Sequence, residues 1–309
     1  MIIITERDRD FLMRVNETGA CNTRMLFECY PRRYAKDRIE KMGIEKIVNR
    51  KYGLIMIGVE GKNYLESIEV VPKIVATLST VAQRKLARVL ELKYLLPNMK
   101  IGTSANYKKE NKLNRGMLFI AVATTNNNIN YLVYDIPKTI TAETKIQILK
   151  ELKNKKNVIT NALIFTRNKD FVQILSTNNV YISELLVMPP STVCMKILNA
   201  MGEGDFDRKV IGAAFPELLE NKVFNKKQNK YMVGANTYIN LVLNNVSAIN
   251  MLSSLDILAI QNNNLSNQVY ILVCLDNQHI FLSSTIEKLN FKKLIIEYKT
   301  IAPGQTSFY

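Results

Sequence analysis

Residues 1–70 carry three short stretches of helical hydrophobic period and then two apolar runs around a basic turn. That order constrains the fold more than any one of its parts. Thr5 stands three residues before Asp8, the spacing of a capping box, and Phe11, Leu12 and Val15 recur at helical intervals up to Gly19. A second short helix is predicted from Thr23, with Met25, Leu26 and Phe27 apolar and Tyr30-Pro31 closing it. A third begins near Arg32, carries Ala35, Ile39 and Met42 at i, i+4 and i+7, and stops at Gly43. The stretch MGIEKIVNRKYGLIMIGVEG, 42–61, then sets the runs Ile44 to Val48 and Leu54 to Ile57 on either side of Asn49-Arg50-Lys51-Tyr52-Gly53. Three helices before a hairpin is the order of a winged helix-turn-helix, the short second helix and its turn being the helix-turn-helix proper. After Gly61 a last amphipathic turn holds Tyr64, Leu65 and Ile68.

A chain of 309 residues, 47% of them hydrophobic, can bury a core in each of two or three domains. Its formal charge of +15 is unevenly spread: nine basic against two acidic residues over 74–115, ten against nine over 201–309. Such a field favours polyanions, nucleic acid first, although the abundance of Ile, Asn and Lys also fits a coding bias with no special partner. Cys21, Cys29, Cys194 and Cys274 show no C-x-x-C spacing and the one histidine is His279. A zinc site, a Ser-His-Asp triad and a Cys-His pair therefore lack their parts. Neither G-x-x-x-x-G-K-[ST] nor G-x-G-x-x-G occurs, so no cofactor is expected. No apolar run approaches the roughly 18 residues of a membrane helix. The first ten residues reach charge before a secretory core could form, which predicts a cytoplasmic protein.

Residues 72–115 read as a connecting helix and a basic linker. The helix has Val81, Leu86, Val89, Leu92 and Leu96 on its apolar side and ends at Pro97, and the linker holds Lys108, Lys109, Lys112 and Arg115. From 117 the pattern becomes α/β. MLFIAVAT and INYLVYDI flank an Asn-rich turn, a helix capped by Thr141 carries Ile146, Leu149 and Leu152, and ALIFT, KDFVQILS, SELLVM and STVCMKILNAM alternate strand with helix. This predicts an α/β domain over 116–201 with a mixed or parallel sheet. GEGDFDRK reads as an interdomain loop, and KVIGAAF, KYMVGANTYINLVLNNV, DILAI and VYILVCL are strand candidates of a C-terminal α/β unit over 202–309. Its closing strand, helix and strand repeat the rhythm of 163–188, which leaves open a third domain or the second half of a duplicated unit.

The amino-terminal phrases resemble those of the replication-relaxation family of Gram-positive plasmids and conjugative elements. Matching residues are Ile4-Thr5-Glu6-Arg7-Asp8; Thr23, Leu26 and Phe27; Arg32, Arg33 and Arg38; and Gly61 and Leu65, with Val59 where threonine is common. The resemblance covers residues 1–70 and implies a winged helix followed by a degraded nuclease-like α/β region. An active nuclease of that kind needs two carboxylates and a lysine on neighbouring strands to hold and use Mg²⁺. Met117 to Thr124 carries no acid, and Asp135 has no lysine two residues on, so Asp135 reads as a strand-end turn residue.

In a winged helix of 1–71 the third helix enters the major groove and the hairpin reaches backbone or minor groove. Inward-facing Ala35, Ile39 and Met42 leave Arg33, Asp37 and Glu40 pointing out, flanked by Lys36 and Lys41. Arg24, Arg32, Lys46, Arg50 and Lys51 would hold phosphate. The two acids repel phosphate but can accept a bond from cytosine. The leading expectation is a non-enzymatic double-stranded DNA-binding protein of a mobile element, a homodimer acting in replication, transfer or transcription, with a relaxase or replication initiator as a further partner. The alternative is a nuclease or relaxase with a diverged centre in the α/β region.

Overall fold

A computed structural model describes residues 3–154, 160–178, 180, 182–220, 225–227, 230–233, 235–261 and 268–302. The chain is mixed α/β, with three sheets among these residues. It divides into two compact units, one running to Pro97 and taking in Ile101–Thr103, the other formed by Asn98–Lys100 and the chain from Ser104.

In the first unit, α1 (Glu6–Asn16) has the expected cap: Asp8 N–H donates to Thr5 Oγ1 at 3.4 Å and Thr5 N–H to Asp8 Oδ2 at 2.7 Å. β1 (Ala20–Asn22) follows, then one 3-10 turn (Thr23–Met25) and the four-residue α2 (Leu26–Cys29). α3 (Arg32–Ile44) leads into the hairpin of β2 (Val48–Lys51) and β3 (Leu54–Ile57), and α4 (Val59–Ser67) comes next. Sheet order is β1-β3-β2, both pairings antiparallel. The short β1, Ala-Cys-Asn, offers no alternation to read, and only its pairing with β3 makes it a strand.

All four residues of β3 are buried, because the central strand has both faces covered. Ile55 and Ile57 pack with Phe11, Leu12, Ile39 and Met42. Leu54 and Met56 pack with Ala20, Val75 and Ala87. The second layer comes from α5 (Thr80–Leu95), capped by Ser79. The loop before α5 is strapped down: Asn16 Nδ2 donates to the Val71 carbonyl at 2.9 Å, and Gln83 Nε2 donates to the carbonyls of Val75 and Leu78 at 3.1 and 3.0 Å. The helix read as a connector beyond a boundary at 71 thus packs into this unit's core, through Leu90 on one side and Ala87 on the other. Of its expected apolar side, Val89, Leu92 and Leu96 are buried and Leu86 packs on the core, whereas Val81 is exposed and Ala87 and Leu90 join the buried face.

The second unit has two five-stranded sheets. β4 (Lys100–Thr103), α6 (Ser104–Glu110), β5 (Ala121–Thr124), β6 (Asn130–Ile136), α7 (Ala142–Lys153), β7 (Asn161–Thr166), α8 (Lys169–Thr177) and β8 (Glu184–Met188) build the first, in order β4-β5-β6-β7-β8. α9 (Thr192–Glu203), α10 (Phe206–Ala214) and α11 (Pro216–Glu220) lead to the second, made by β9 (Asn225–Lys227), β10 (Lys230–Val233), β11 (Asn236–Asn240), α12 (Val246–Gln261), β12 (Val269–Leu275), α13 (Asp276–Glu287) and β13 (Ile295–Ile301). Its order is β13-β12-β11-β10-β9. The sheets repeat one pattern: β5 and β6 antiparallel, then β6, β7 and β8 parallel; β10 and β11 antiparallel, then β11, β12 and β13 parallel. In each, two helices carry the chain between the parallel strands. The mixed core expected for 116–201 is present, and 202–309 continues in the same unit with the same topology.

Three segments differ from their sequence reading. The basic linker after Pro97 contains β4 and α6, and Lys108 is buried there with its ammonium donating to the Met117 carbonyl at 2.5 Å over the Phe119 ring. KVIGAAF is helix rather than strand: Phe206, Val210, Ile211 and Ala214 are buried at helical spacing in α10, which takes the second half of the expected loop while α9 takes its first two residues. DILAI lies inside α12, where Ile249, Leu252, Asp256 and Ala259 face inward. A five-residue apolar run fits either element, and the longer run without breakers around it decides for helix. Helix α7 is capped by Thr141 as expected but buries Ile148 and Leu152 and exposes Ile146. The last residue read into that helix, Lys155, lies outside the described residues. Among the described residues no helix is long and apolar enough to cross a membrane.

Candidate nucleic-acid interface

The face of α3 is set from inside. Ala35, Ile39 and Met42 are buried, and so is Arg38, whose guanidinium is drawn inward by Asp8 of α1. Arg38 Nε donates to Asp8 Oδ1 at 2.9 Å, its Nη2 donates to Asp8 Oδ2 and, at 2.7 Å, to the Ile3 carbonyl, and Tyr30 Oη donates to Asp8 Oδ1 at 2.8 Å. Burial alone would raise the Asp8 carboxyl. The Arg38 bond, with those from Thr5 and Tyr30, outweighs burial and holds its pKa at about 2. A residue counted among the arginines of the third helix is therefore a core ion and not a surface group.

The four inward positions leave Arg33, Lys36, Asp37, Glu40 and Lys41 on the outer face, all exposed, with Tyr34 and Ile44 beside them. Arg32, at the helix start, is exposed with its guanidinium 5.6 Å from the centre of the Phe27 ring. Phe27 itself, read as part of the second helix's apolar side, is 48% exposed. Arg24 projects from the 3-10 turn, its side chain 84% exposed and 3.9 Å from Glu91 of α5.

The basic knot of the hairpin is built differently from its sequence reading. Arg50 and Lys51 are strand residues, paired with Ile55 and Leu54. The turn is Tyr52-Gly53 alone, with φ of +53° and +76°. Two residues of positive φ match the twist of a two-residue hairpin, and glycine suits the second position. Strand alternation then separates the two cations. Arg50 shares its face with Val48 and Ile55 on the α3 side, where its Cδ lies 3.6 Å from a Cβ built on Gly43. Lys51 shares its face with Leu54 on the α5 side, its ammonium 5.1 Å from the centre of the Tyr52 ring.

Glu40, Lys46 and Arg50 line one groove of about 680 Å³, together with Asn49 and with Lys62 of α4. Lys46 has a positive φ of 55°, and its carbonyl accepts the Glu60 N–H at 3.1 Å, so α4 begins directly against the groove floor. Gly61 permits this approach, since a Cβ there would collide with the Ile47 carbonyl oxygen. The geometry thus brings together Glu40, Lys46 and Arg50, keeps Arg33, Lys36, Asp37 and Lys41 along the same helix, and sets Lys51 on another face. Tyr34 and Lys62 were not among the expected contacts; Tyr34 is exposed on α3 and Lys62 reaches the groove from the start of α4.

No family model, curated protein or solved structure matches this chain.

In the second unit Asp135 is exposed near the end of β6, and β5 beside it carries no acid. Among the described residues no three His, Cys, Asp or Glu side chains converge as a metal set. His279 stacks edge-on against Tyr298 at 5.0 Å. Cys21 and Cys274 are buried and Cys29 and Cys194 half-buried. Burial raises the pKa of each thiol, to about 11 for Cys274.

Proposed function

We propose that the chain is a non-enzymatic protein of a plasmid or other mobile element that binds double-stranded DNA through a winged helix formed by its first unit. The observation that carries this reading is the outward face of α3, with Arg33, Lys36 and Lys41 exposed and Arg50 of the hairpin beside its C-terminal end. Helix α3 reads the major groove, with Asp37 and Glu40 as acceptors for cytosine N4, while Arg24, Arg32, Lys46, Arg50 and Lys51 hold phosphate. The three-stranded sheet and its tight two-residue turn support the wing assignment, as does the place of α4 directly after it. The protein acts as a homodimer on paired half-sites in replication, transfer or transcription, alongside a relaxase or replication initiator. The resemblance to the replication-relaxation family belongs to this proposal.

The test is binding of the full chain to random duplex and to its own upstream DNA across a salt series. Affinity falls steeply with salt, and Arg33→Ala removes preference for the upstream site while Arg50→Glu weakens both duplexes alike. Salt-independent binding, or none below micromolar concentration at low salt, overturns the reading.

A further inference from the structure

The second unit has an open cavity of about 520 Å³ where the carboxyl ends of β7 and β8 face the segments that leave β11 and β12. Small-molecule sites run from roughly 300 to 1,000 Å³. Diverging loops at the carboxyl ends of parallel strands are where α/β sheets leave room for ligands. Here two sheets of the same topology contribute to one cavity: Thr166 and Met188 end the first pair of strands, Leu275 ends β12, and Leu243 follows β11.

The chemistry of the wall is specific. Most of it is apolar, including Met188, Leu243, Phe281 and Leu282. The polar groups Asn244 and Gln278 are committed to the frame, Asn244 Nδ2 donating to the Val187 carbonyl and Gln278 Nε2 to the Val242 carbonyl, each at 2.8 Å. Burial raises the Cys194 thiol, so it lines the wall as a neutral group. Among the described residues the charged ones lining the cavity are Arg167 and Lys169, both exposed, and none is acidic. Neither cation forms an ion pair with a described residue. Helix α8, capped by Asn168 and with Asp170 in its first turn, begins at Lys169, and α9, twelve residues long, begins after its cap Ser191 on the same wall, so the amino ends of two helix dipoles lie at this wall.

We propose that this cavity binds a small amphipathic anion: an apolar body about the size of a medium-length acyl chain, with one carboxylate or phosphate head held by Arg167 and Lys169. The inference is independent of the DNA-binding reading, since no residue of the first unit takes part. Isothermal titration of the full chain with decanoate, octyl phosphate and octanol tests it. At least one anion binds saturably at one site per chain, octanol binds at least about tenfold more weakly, and the Arg167→Glu/Lys169→Glu variant weakens the anion by about tenfold or more. The tighter of the two anions names the head group. Failure of both anions to saturate, octanol binding as tightly as the anions, or unchanged affinity in the charge-reversed variant each overturns the proposal.

Discussion

Arg38 and Asp8, thirty residues apart on different helices, form a charge-assisted pair within the first unit, with Nε to Oδ1 at 2.9 Å and Asp8 wholly buried. Thr5, Tyr30 and the Ile3 carbonyl complete the partners of both ions. A buried ion left alone is far more costly than a buried pair is favourable. Arg38→Met should therefore destabilise the first unit by about 3–5 kcal/mol, and the Asp8→Leu/Arg38→Met double variant by clearly less than the sum of the single changes. Urea unfolding of the four proteins checks the cycle.

The same carboxylate gives the fold an acid limit. Its hydrogen bonds hold the folded Asp8 carboxyl at about 2, well below the usual range of an aspartate. A depressed folded pKa contributes stability that is complete above the unfolded value and is lost as pH falls toward the folded one. About 2 kcal/mol should disappear progressively between about pH 5 and pH 1, and Asp8→Asn should flatten that limb. Stability measured by denaturant at a series of pH values shows whether it does.

In the second unit Glu151 carries the opposite sign. Its carboxylate accepts the Leu118 N–H through both oxygens, at 2.9 and 3.0 Å, and the Tyr134 hydroxyl at 3.0 Å, yet burial is the largest influence and raises its pKa. A raised folded pKa favours the protonated folded state, so this contribution is full below the unfolded pKa and falls as pH rises through the folded one. Glu151→Gln should remove that dependence from the unfolding of the second unit, read from amide exchange of Leu118 and its neighbours.

Asp256 of α12 fastens the chain ahead of β13, accepting the N–H groups of Lys292, Lys293 and Leu294 at 2.8–3.1 Å. Burial would raise its carboxyl, but these three backbone donors, aided by the Lys292 charge, keep it below the usual range of an aspartate. Asp256→Ala leaves three amides without their acceptor and should cost about 1–3 kcal/mol. Exchange at the three amides should accelerate ahead of β12.

At the hairpin turn, Tyr52 holds a left-handed conformation that bulky residues adopt rarely and asparagine adopts easily. Tyr52→Asn should stabilise the first unit by about 0.5–1 kcal/mol. Gly53→Ala should destabilise it by a similar amount, because φ is +76° although no atom lies within 4 Å of the added methyl. Thermal unfolding of both variants measures this. Under the DNA-binding reading, Arg50→Glu should also weaken duplex binding more than Lys51→Glu, since the two project from opposite faces.

Local rules were legible in the sequence. The Thr5 and Thr141 caps, the inward set of α3, the strands from β5 to β8 and the closing strand, helix and strand of β12, α13 and β13 all follow from period, breakers and capping chemistry, which act over a few residues. So did the outward positions of α3, because three buried apolar residues fix a helix face. Contacts across the fold decided the rest. β1 is a strand because β3 pairs with it, and β3 is buried on both faces because α5 covers the second one. Arg38 left the surface for the carboxylate of Asp8, a partner thirty residues away that no window of sequence contains. Arg50 and Lys51, adjacent in the chain, were parted by the pleat once Tyr52 and Gly53 fixed the turn. Short apolar runs such as DILAI satisfy helix and strand alike, and only the partners that bury them choose between the two.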